Sequence, residues 1–177
     1  MSVHPLVVAV LVRSMEPGRF GTVATAWFAR QVEQRDDFKL DLIDLALTEP
    51  ESLSTRIDAA DAVVIVCPEY NHSYPGELKI AIDSVRRPWY AKPVAFIVYG
   101  GRSGGLRAAE QLRLVFAELH AVPIRETLSF HQVPTCFTPE GEPVEPGTTQ
   151  AATTLLNHLA WWSRALRDAR TTTPYPA

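Results

Sequence analysis

Three short segments of this 177-residue sequence carry the side chains that could bind or transform a ligand. Each comes directly after an apolar run: Arg13–Gly21 (RSMEPGRFG), Pro68–Pro75 (PEYNHSYP) and Gly100–Gly105 (GGRSGG). They combine hydroxyl, guanidinium, carboxylate and aromatic groups with glycines, which let a ligand approach the backbone closely. This chemistry favours binding over nucleophilic catalysis. Gly101–Gly105 (GRSGG) has the G-x-S-x-G spacing, which invites a nucleophile at Ser103, but the histidines that could serve it come at or beyond the next helix and strand.

The first segment has the composition of a phosphate-binding turn. It leads from an apolar run into a helical pattern, and the N–H groups and positive dipole of a helix start suit a phosphate. Ser14 can donate its hydroxyl and Arg19 a charge-assisted hydrogen bond. An ordinary strand-to-helix turn is the alternative. Neither G-x-x-x-x-G-K-[ST] nor G-x-G-x-x-G follows a predicted strand, so triphosphate and Rossmann dinucleotide sites lack their fingerprints.

The second segment places a proline, an acid, a tyrosine and an amide at the end of a buried strand. Because proline turns the chain, we expect the next backbone amides to face the sheet edge. They could read the edge of a flat heteroaromatic ring, with Tyr70 over one face. A solvated turn with Asn71 as a helix cap is the plainer interpretation. His72 has no second ligand nearby, so no metal site is predicted.

The third segment has four glycines in six positions, which permits either close ligand approach or a flexible turn before a helix. His120 and His131 come at or beyond the next helix and strand. A catalytic triad with Ser103 is therefore not expected.

Alternating strand and helix patterns must position these segments. Strands are predicted at Leu6–Val12, Phe38–Leu45, Ala62–Cys67, Pro93–Tyr99 and Val122–Phe130. Helices are predicted at Arg19–Glu33, Pro75–Val85, Leu106–Leu119 and Thr148–Arg170, the last burying Leu155, Leu159, Trp162 and Leu166. We expect a loop at Pro134–Gly147 and a frayed C-terminal tail. The pattern predicts an α/β fold with a doubly wound five-stranded parallel sheet in the order 2-1-3-4-5, and ligands beyond the carboxyl ends of its strands.

Bulk composition narrows the class of protein. With 46% hydrophobic residues and a net charge of −3, we expect one globular domain over residues 1–177 and no nucleic-acid partner. No apolar stretch approaches the roughly 18 residues needed to cross a bilayer, so no membrane association is predicted. Two cysteines, Cys67 and Cys136, fit a reducing compartment, which predicts a cytoplasmic protein.

The residue run from Pro68 to Gly76, followed by Leu78-Lys79 and Ala81-x-Asp83, resembles the signature of the NAD(P)H-dependent FMN reductases, which have a flavodoxin-like fold. The block from Tyr99 to Ala109, with Gln111-Leu112-Arg113, is similar to a second block of that family. With Pro17–Gly21, the likeness extends from residue 6 to about residue 130.

This resemblance implies FMN as the cofactor and NAD(P)H as the co-substrate. It implies a phosphate site at Ser14, Arg19, Phe20 and Gly21, an isoalloxazine seat at Pro68, Glu69, Tyr70 and Asn71, and a ring edge beside Gly101, Ser103 and Gly104. No side chain is predicted to act as a catalytic acid or base, because the hydride chemistry belongs to the flavin, and Glu69 is expected to brace its loop. The resemblance also implies a homodimer or a dimer of dimers.

The expected activity is reduction of a free flavin, quinone, azo or nitro compound. Two alternatives stay open: a flavoprotein that supplies reduced flavin to a partner or serves a specialised biosynthetic step, and a non-redox binding module that has lost FMN. The second alternative arises because the first segment departs from the family pattern. Arg13 stands where relatives have glycine, and Glu16 replaces the arginine that would face the phosphate.

Overall fold

The computed structural model describes residues 4–133 and 135–176, and within them five strands alternate with five α-helices. The strands are β1 (Leu6–Val12), β2 (Phe38–Asp44), β3 (Ala62–Pro68), β4 (Pro93–Tyr99) and β5 (Val122–Phe130). The helices are α1 (Phe20–Glu33), α2 (Pro50–Ala59), α3 (Gly76–Asp83), α4 (Leu106–Glu118) and α5 (Thr148–Thr172). A single 3-10 turn, Arg87–Trp89, precedes β4.

The strands form one parallel sheet in the order β2-β1-β3-β4-β5, which confirms the predicted topology. Strands β1, β3 and β4 are continuously apolar because helices cover both of their faces. Strand β2 lies at one edge and alternates between buried and partly exposed positions. The winding direction reverses between β1 and β3, so their carboxyl ends border a crevice.

Two hydrophobic clusters hold the helices against the sheet. Helices α1 and α5 cover one face, where Trp27 and Phe28 are fully buried. Helices α2, α3 and α4 cover the other face, where Trp89 packs edge-on against Phe116 with ring centroids 5.2 Å apart. Burial of these large side chains is the main stabilising contribution to the layered fold.

Three predictions about secondary structure and packing were incomplete or wrong. Helix α2 was not predicted. Trp162, expected to face inward, is 36% exposed, and the neighbouring Ser163 is buried instead, with its hydroxyl donating to the carbonyl of Leu159 at 2.5 Å. The tail is not wholly frayed, because the ring of Tyr175 lies 5.7 Å from that of Tyr90.

The long connection before α5 is fixed to α1. It forms turns over its described residues, 135–147, as the predicted loop requires, while Pro134 itself lies outside the described residues. Phe137 packs 5.4 Å from Phe20 and 5.9 Å from Trp27, centroid to centroid. The guanidinium of Arg30 donates to the carbonyl of Gly141 at 2.8 Å. The connection therefore packs beside the start of α1.

The outer edge of the sheet, at β5, is irregular. Its register with β4 shifts between Val94 and Phe96. The Arg113 side chain from α4 donates to the carbonyls of Ile124 (2.6 Å) and Arg125 (3.0 Å) there. Of the helices in the described residues, none combines the length and apolar character that crossing a membrane requires.

Candidate functional site

The three chemistry-bearing segments meet at the carboxyl edge of the sheet. Val12 at the end of β1 pairs with Val66 in β3, and Pro68 at the end of β3 pairs with Tyr99 at the end of β4. The loops that follow these strands therefore lie side by side at the crevice. In doubly wound sheets this edge is where ligands bind.

The first loop leads into a helix start that no side chain caps. Arg19 is the N-cap residue of α1, its backbone is extended, and no cap hydrogen bond from a side chain is present among the described residues. The first turn of α1 contains no acidic residue. Because the first N–H groups of a helix lack partners within it, this helix start is suited to an anion.

Two ion pairs border this helix start. The Arg19 guanidinium donates from Nε to Glu16 Oε2 at 2.6 Å, and Arg13 Nη2 lies 3.3 Å from Glu77 Oε1. The hydrogen bond with Glu16 is the main reason why the pKa of Arg19 is raised above its ordinary value. Both arginines are thus matched with carboxylates of the chain, so the loop is less cationic than its composition predicts.

A cavity of about 190 Å³ opens between the first and second loops. Six predicted site residues line it: Ser14, Arg19, Phe20, Gly21, Pro68 and Tyr70. The other predicted residues lie outside its lining in the described chain: Glu69, Asn71, Gly101, Ser103 and Gly104. The structure thus gathers the residues expected near the phosphate together with part of the expected ring seat.

Tyr99 was missed from the sequence, yet it forms one wall of this cavity. A Cβ added to Gly21 would lie 2.6 Å from the Tyr99 hydroxyl oxygen, so only glycine leaves room for that phenol. Burial raises the pKa of Tyr99, which keeps its hydroxyl protonated and able to donate. Its ring lies 4.8 Å from that of Phe20. The position of this tyrosine at the end of a buried strand was the available signal.

The second loop is a tight turn that α4 stabilises through side-chain hydrogen bonds. Asn71 and His72 both have positive φ angles (49° and 73°), as in a type I′ turn. Tyr70 and Ser73 exchange backbone hydrogen bonds of 2.9 and 3.0 Å across it. The side chain of Gln111 accepts from the Ser73 hydroxyl at 2.5 Å and donates to the His72 carbonyl at 2.9 Å.

The expectation that the amides after Pro68 face a ligand is only partly met. The Glu69 N–H donates to the carbonyl of Tyr99 at 2.9 Å, and the Tyr70 N–H donates to Ser73. Neither amide is available to a ligand, because the first extends the pairing between β3 and β4 and the second forms the hydrogen bond within the turn. The Asn71 N–H makes no hydrogen bond to any described residue, so it is the first amide of this loop that can meet a ligand.

Glu69 ties the second loop to the third. Its side chain is only 7% exposed, and its carboxylate accepts from the Arg107 backbone N–H and guanidinium, both at 3.2 Å. Burial alone would raise the pKa of Glu69, but hydrogen bonds from Ser103 and Arg107 outweigh it and the pKa lies below its ordinary value. Since Gly105, the N-cap residue of α4, has no side chain, Glu69 serves as the cap of that helix.

The third loop packs tightly against its neighbours. Gly105 has φ +85°, and a Cβ there would lie 2.5 Å from the Tyr99 backbone nitrogen. His131, expected to lie away from this loop, instead contacts it: Nδ1 is 3.1 Å from the Arg102 carbonyl oxygen and Nε2 is 3.1 Å from Ser129 Oγ. Neither contact involves Ser103. Within the described residues, no three His, Cys, Asp or Glu side chains converge as metal ligands.

Comparison with known proteins gives the family. Residues 6–135 match the model of a family described as NADPH-dependent FMN reductase. The chain belongs to this family. It is 38% identical to an NADPH:quinone oxidoreductase of Arabidopsis thaliana in an alignment 133 residues long that covers 68% of this chain and 68% of the relative. It is 34% identical over 124 residues to an NAD(P)H-dependent FMN reductase of Pseudomonas aeruginosa, covering 66% of each chain.

Solved structures agree on the fold of this reductase. The flavoenzyme NAD(P)H:(acceptor) oxidoreductase FerB of Paracoccus denitrificans superposes with a TM-score of 0.74 over 90% of this chain and 98% of that chain, at 22% identity. A flavodoxin from an archaeon superposes with a TM-score of 0.64 at 11% identity. The fold is therefore flavodoxin-like, as the resemblance implied. As a member of this reductase family, the chain is an oxidoreductase that uses FMN and NAD(P)H.

The residues at the cavity fit FMN. The uncapped start of α1 and the Ser14 hydroxyl suit its phosphate. Phe20, Pro68 and Tyr70 give an apolar and aromatic wall of the kind that a flavin needs. The Glu16 carboxylate near this helix start opposes a dianion, and it is bound to Arg19.

Proposed function

We propose that this reductase takes a hydride from NAD(P)H and delivers electrons to a small flavin, quinone, azo or nitro acceptor at the cavity between the first and second loops. The observation that carries this proposal is the uncapped start of α1 beside an aromatic wall at the switch point of the sheet. The acceptor class is supported by the names of the relatives, among them quinone oxidoreductases and FMN reductases.

The side chains of this site bind and orient. FMN, when bound, supplies the hydride-accepting chemistry. The first-turn amides of α1 and the Ser14 hydroxyl would hold the phosphate end, and the Tyr99 ring would form the wall of the cavity beside Gly21. The N–H groups of Asn71, Gly101 and Ser103, which donate to no described residue, would be available to the edge of a bound flavin ring.

Glu69 is a positioning residue in this proposal. Its carboxylate holds the third loop through Ser103 and the start of α4 through Arg107, and it is ionised at neutral pH, since its pKa is depressed. An ionised carboxylate that accepts several hydrogen bonds has no proton to give and is a weak base. The hydride step needs stacking and orientation rather than a protein acid or base.

We also infer a homodimer or a dimer of dimers. Large aliphatic side chains are exposed on α3 and α4: Ile80 is 72%, Leu106 45% and Leu114 75% exposed. Where exposed aliphatic side chains are contiguous, they are typical of subunit interfaces. Light scattering of the purified protein tests this inference, and a monomer at micromolar concentration would refute it.

Two further inferences concern the chain as a whole. Both hydrophobic clusters pack on one sheet, which supports a single domain over residues 1–177. Cys67 and Cys136 are free thiols, which supports a reducing, cytoplasmic location.

The deciding experiment has two stages. The purified protein is titrated with FMN while the quenching of flavin fluorescence is followed, and NADPH is then added without oxygen to bleach the flavin absorbance. We expect saturable binding and bleaching, followed by reoxidation on addition of a quinone and parallel lines in double-reciprocal plots, as a ping-pong reaction requires. If no flavin binds at saturating concentration, or bound flavin is not bleached, the proposal fails.

A further inference from the structure

We infer that the chain has a second ligand site at the opposite end of the sheet, which binds a small phosphate monoester that carries an aromatic ring. The site is a cavity of about 400 Å³ between the end of α2, the 3-10 turn Arg87–Trp89 and the end of α5. This inference goes beyond the proposed function, because the residues that line this cavity take no part in the flavin crevice.

The cavity lies at the amino edge of the sheet. Ala60 and Asp61 directly precede β3, and Lys92 directly precedes β4. Each of these strands has seven residues, and at about 3.3 Å per residue they separate the cavity from the carboxyl edge by about 20 Å. In the described chain its lining shares no residue with the cavity between the first and second loops. A small ligand at one edge therefore cannot contact a ligand at the other.

Positive charge exceeds negative charge in this cavity. Its lining in the described chain has four cationic side chains and two anionic ones, which leaves a surplus of two positive charges: Arg87, Lys92, Arg167 and Arg170, against Asp58 and Asp61. A phosphate monoester carries close to two negative charges at neutral pH, so its charge matches this surplus. Guanidinium and ammonium groups are also the side chains with which proteins bind phosphate.

Lys92 is the buried cation of this site. It is only 4% exposed, and its ammonium donates to the carbonyls of Asp58 (2.7 Å) and Ala60 at the end of α2. An ammonium has three hydrogens, so one remains for another acceptor. Burial and, after it, the charge of Arg170 lower the pKa of Lys92 to about 8. An anion in the cavity would offset both effects, because it places an opposite charge beside a cation that has lost its water.

Arg87 is the cation that the fold does not use. Arg167 has an acidic partner, since its guanidinium lies 3.4 Å from Asp61, and Arg170 donates to the carbonyl of Ala91. The guanidinium of Arg87 makes no hydrogen bond or ion pair with any described residue, although Arg87 lines the cavity. Arg87 belongs to the 3-10 turn and not to the end of α2 or α5, so a helix dipole does not account for it. Its guanidinium is therefore available to an anionic ligand.

Two aromatic side chains line the same cavity. The ring centroids of Tyr90 and Tyr175 are 5.7 Å apart. His120 packs against both, 4.9 Å from Tyr90 and 5.7 Å from Tyr175, and its Nδ1 lies 3.2 Å from the Tyr175 hydroxyl oxygen. Aromatic side chains beside cationic ones suit a ligand in which a flat ring is joined to the phosphate. The cavity is also within the size range of small-molecule sites.

The test uses phenyl phosphate as the probe, with inorganic phosphate and phenol as its two halves. Binding is measured by isothermal titration calorimetry in the presence of saturating FMN, so that the start of α1 is occupied. Arg87→Gln removes the unused cation. Arg86→Gln is the matched control, because Arg86 is the adjacent arginine, is also exposed and does not line the cavity.

We expect wild type to bind one phenyl phosphate per chain. Inorganic phosphate should bind about tenfold more weakly because it lacks the ring, and phenol should show no saturable binding. Arg87→Gln should weaken phenyl phosphate binding about tenfold through the loss of a charge-assisted hydrogen bond, while Arg86→Gln stays within about twofold of wild type. Lys92→Met should abolish binding and also lower the thermal midpoint, because the end of α2 loses its cation. The FMN affinity of Arg87→Gln should equal that of wild type.

Three results would overturn the inference. They are a lack of saturable phenyl phosphate binding by wild type, equal affinities of Arg87→Gln and Arg86→Gln, and inorganic phosphate binding as tight as that of phenyl phosphate. A failure of FMN to bind would refute the proposed function but not this inference, because the two arginine variants identify the second site by themselves.

Discussion

Helices α1 and α4 both begin at the carboxyl edge of the sheet after a glycine-containing loop, yet their starts are completed in different ways. At α4 the carboxylate of Glu69 accepts from the Arg107 N–H, so the helix start is closed by the protein. At α1 no side chain of the described residues caps the helix, and the nearby acid, Glu16, binds the Arg19 side chain instead. The same local feature therefore stabilises the fold at one position and remains available to a ligand at the other.

This difference separates the expected effects of mutation. Changes at the start of α4 should lower the free energy of unfolding, because the capping group and the backbone contacts belong to the folded protein. Changes at the start of α1 should mainly alter flavin affinity. The distinction between the two helix starts would be wrong if both sets of variants changed mainly the free energy of unfolding, or both changed mainly flavin affinity.

The largest effect is expected for Gly105→Ala. The new Cβ would lie 2.5 Å from the Tyr99 nitrogen, and the backbone has φ +85°, so both a clash with main-chain atoms and conformational strain result. We expect a loss of about 3 kcal/mol or more in the free energy of unfolding, measured by urea denaturation. Gly101→Ala is the control, since no atom lies within 4 Å of a Cβ there. Equal stability of the two variants would contradict the close packing of α4.

Glu69→Gln should have the next largest effect. The glutamine leaves the Arg107 guanidinium without its carboxylate and weakens the cap, so we expect a loss of about 2 kcal/mol at pH 7. Because the folded-state pKa of Glu69 lies below its ordinary value of 4.5, wild type has this stability above about pH 4.5 and loses it as pH falls through the folded-state pKa. The urea midpoints of the two proteins should therefore differ at pH 7 and converge as the pH is lowered through the folded-state pKa of Glu69. A constant gap across this range would show that ionisation of Glu69 does not stabilise α4.

Gly21→Ala should give the smallest effect on stability and act on binding. Its Cβ meets the hydroxyl end of Tyr99, a side chain that can rotate, so we expect a loss below about 1 kcal/mol. Rotation of that ring into the cavity should weaken FMN and riboflavin alike by about tenfold, which corresponds to about 1.4 kcal/mol. Urea denaturation and flavin titration separate the two quantities. A large loss of stability with unchanged flavin affinity would show that the start of α1, like that of α4, stabilises the fold rather than serving a ligand.

Much of the fold could be predicted because each buried strand is a continuous apolar run in the sequence. Strands β1, β3 and β4 are covered on both faces, and their patterns gave the sheet order through the βαβ rule. Helix α2 was missed because only Leu53 and Ile57 of its ten residues are buried. Two apolar positions one turn apart give too weak a periodicity, and contact with the sheet decides the structure there.

Trp162 shows a second limit of sequence patterns. Hydrophobicity favoured the tryptophan at the inward position, but the buried face of α5 includes the small Ser163, whose hydroxyl is satisfied within the helix. A pattern of hydrophobicity does not record which side chains a tight contact can accommodate.

The candidate site was predictable in its location but not in its hydrogen bonds. The three segments follow strand ends, so their meeting at one edge followed from topology. Three sets of contacts depend on loop conformations. They are the hydrogen bonds that the Glu69 and Tyr70 amides donate, the hydrogen bond from Gln111 to the second loop, and the pairing of Arg19 with Glu16. Such conformations are set by contacts between distant parts of the chain and have no local signature in the sequence.

The guanidinium of Arg113 at the irregular edge of β5 has a consequence for behaviour at high concentration. An outer strand with free carbonyls is a template for a strand of another molecule, and this is a common start of aggregation. Here the Ile124 and Arg125 carbonyls are already occupied by a side chain of the same subunit. Strand addition at this stretch of β5 is thus disfavoured.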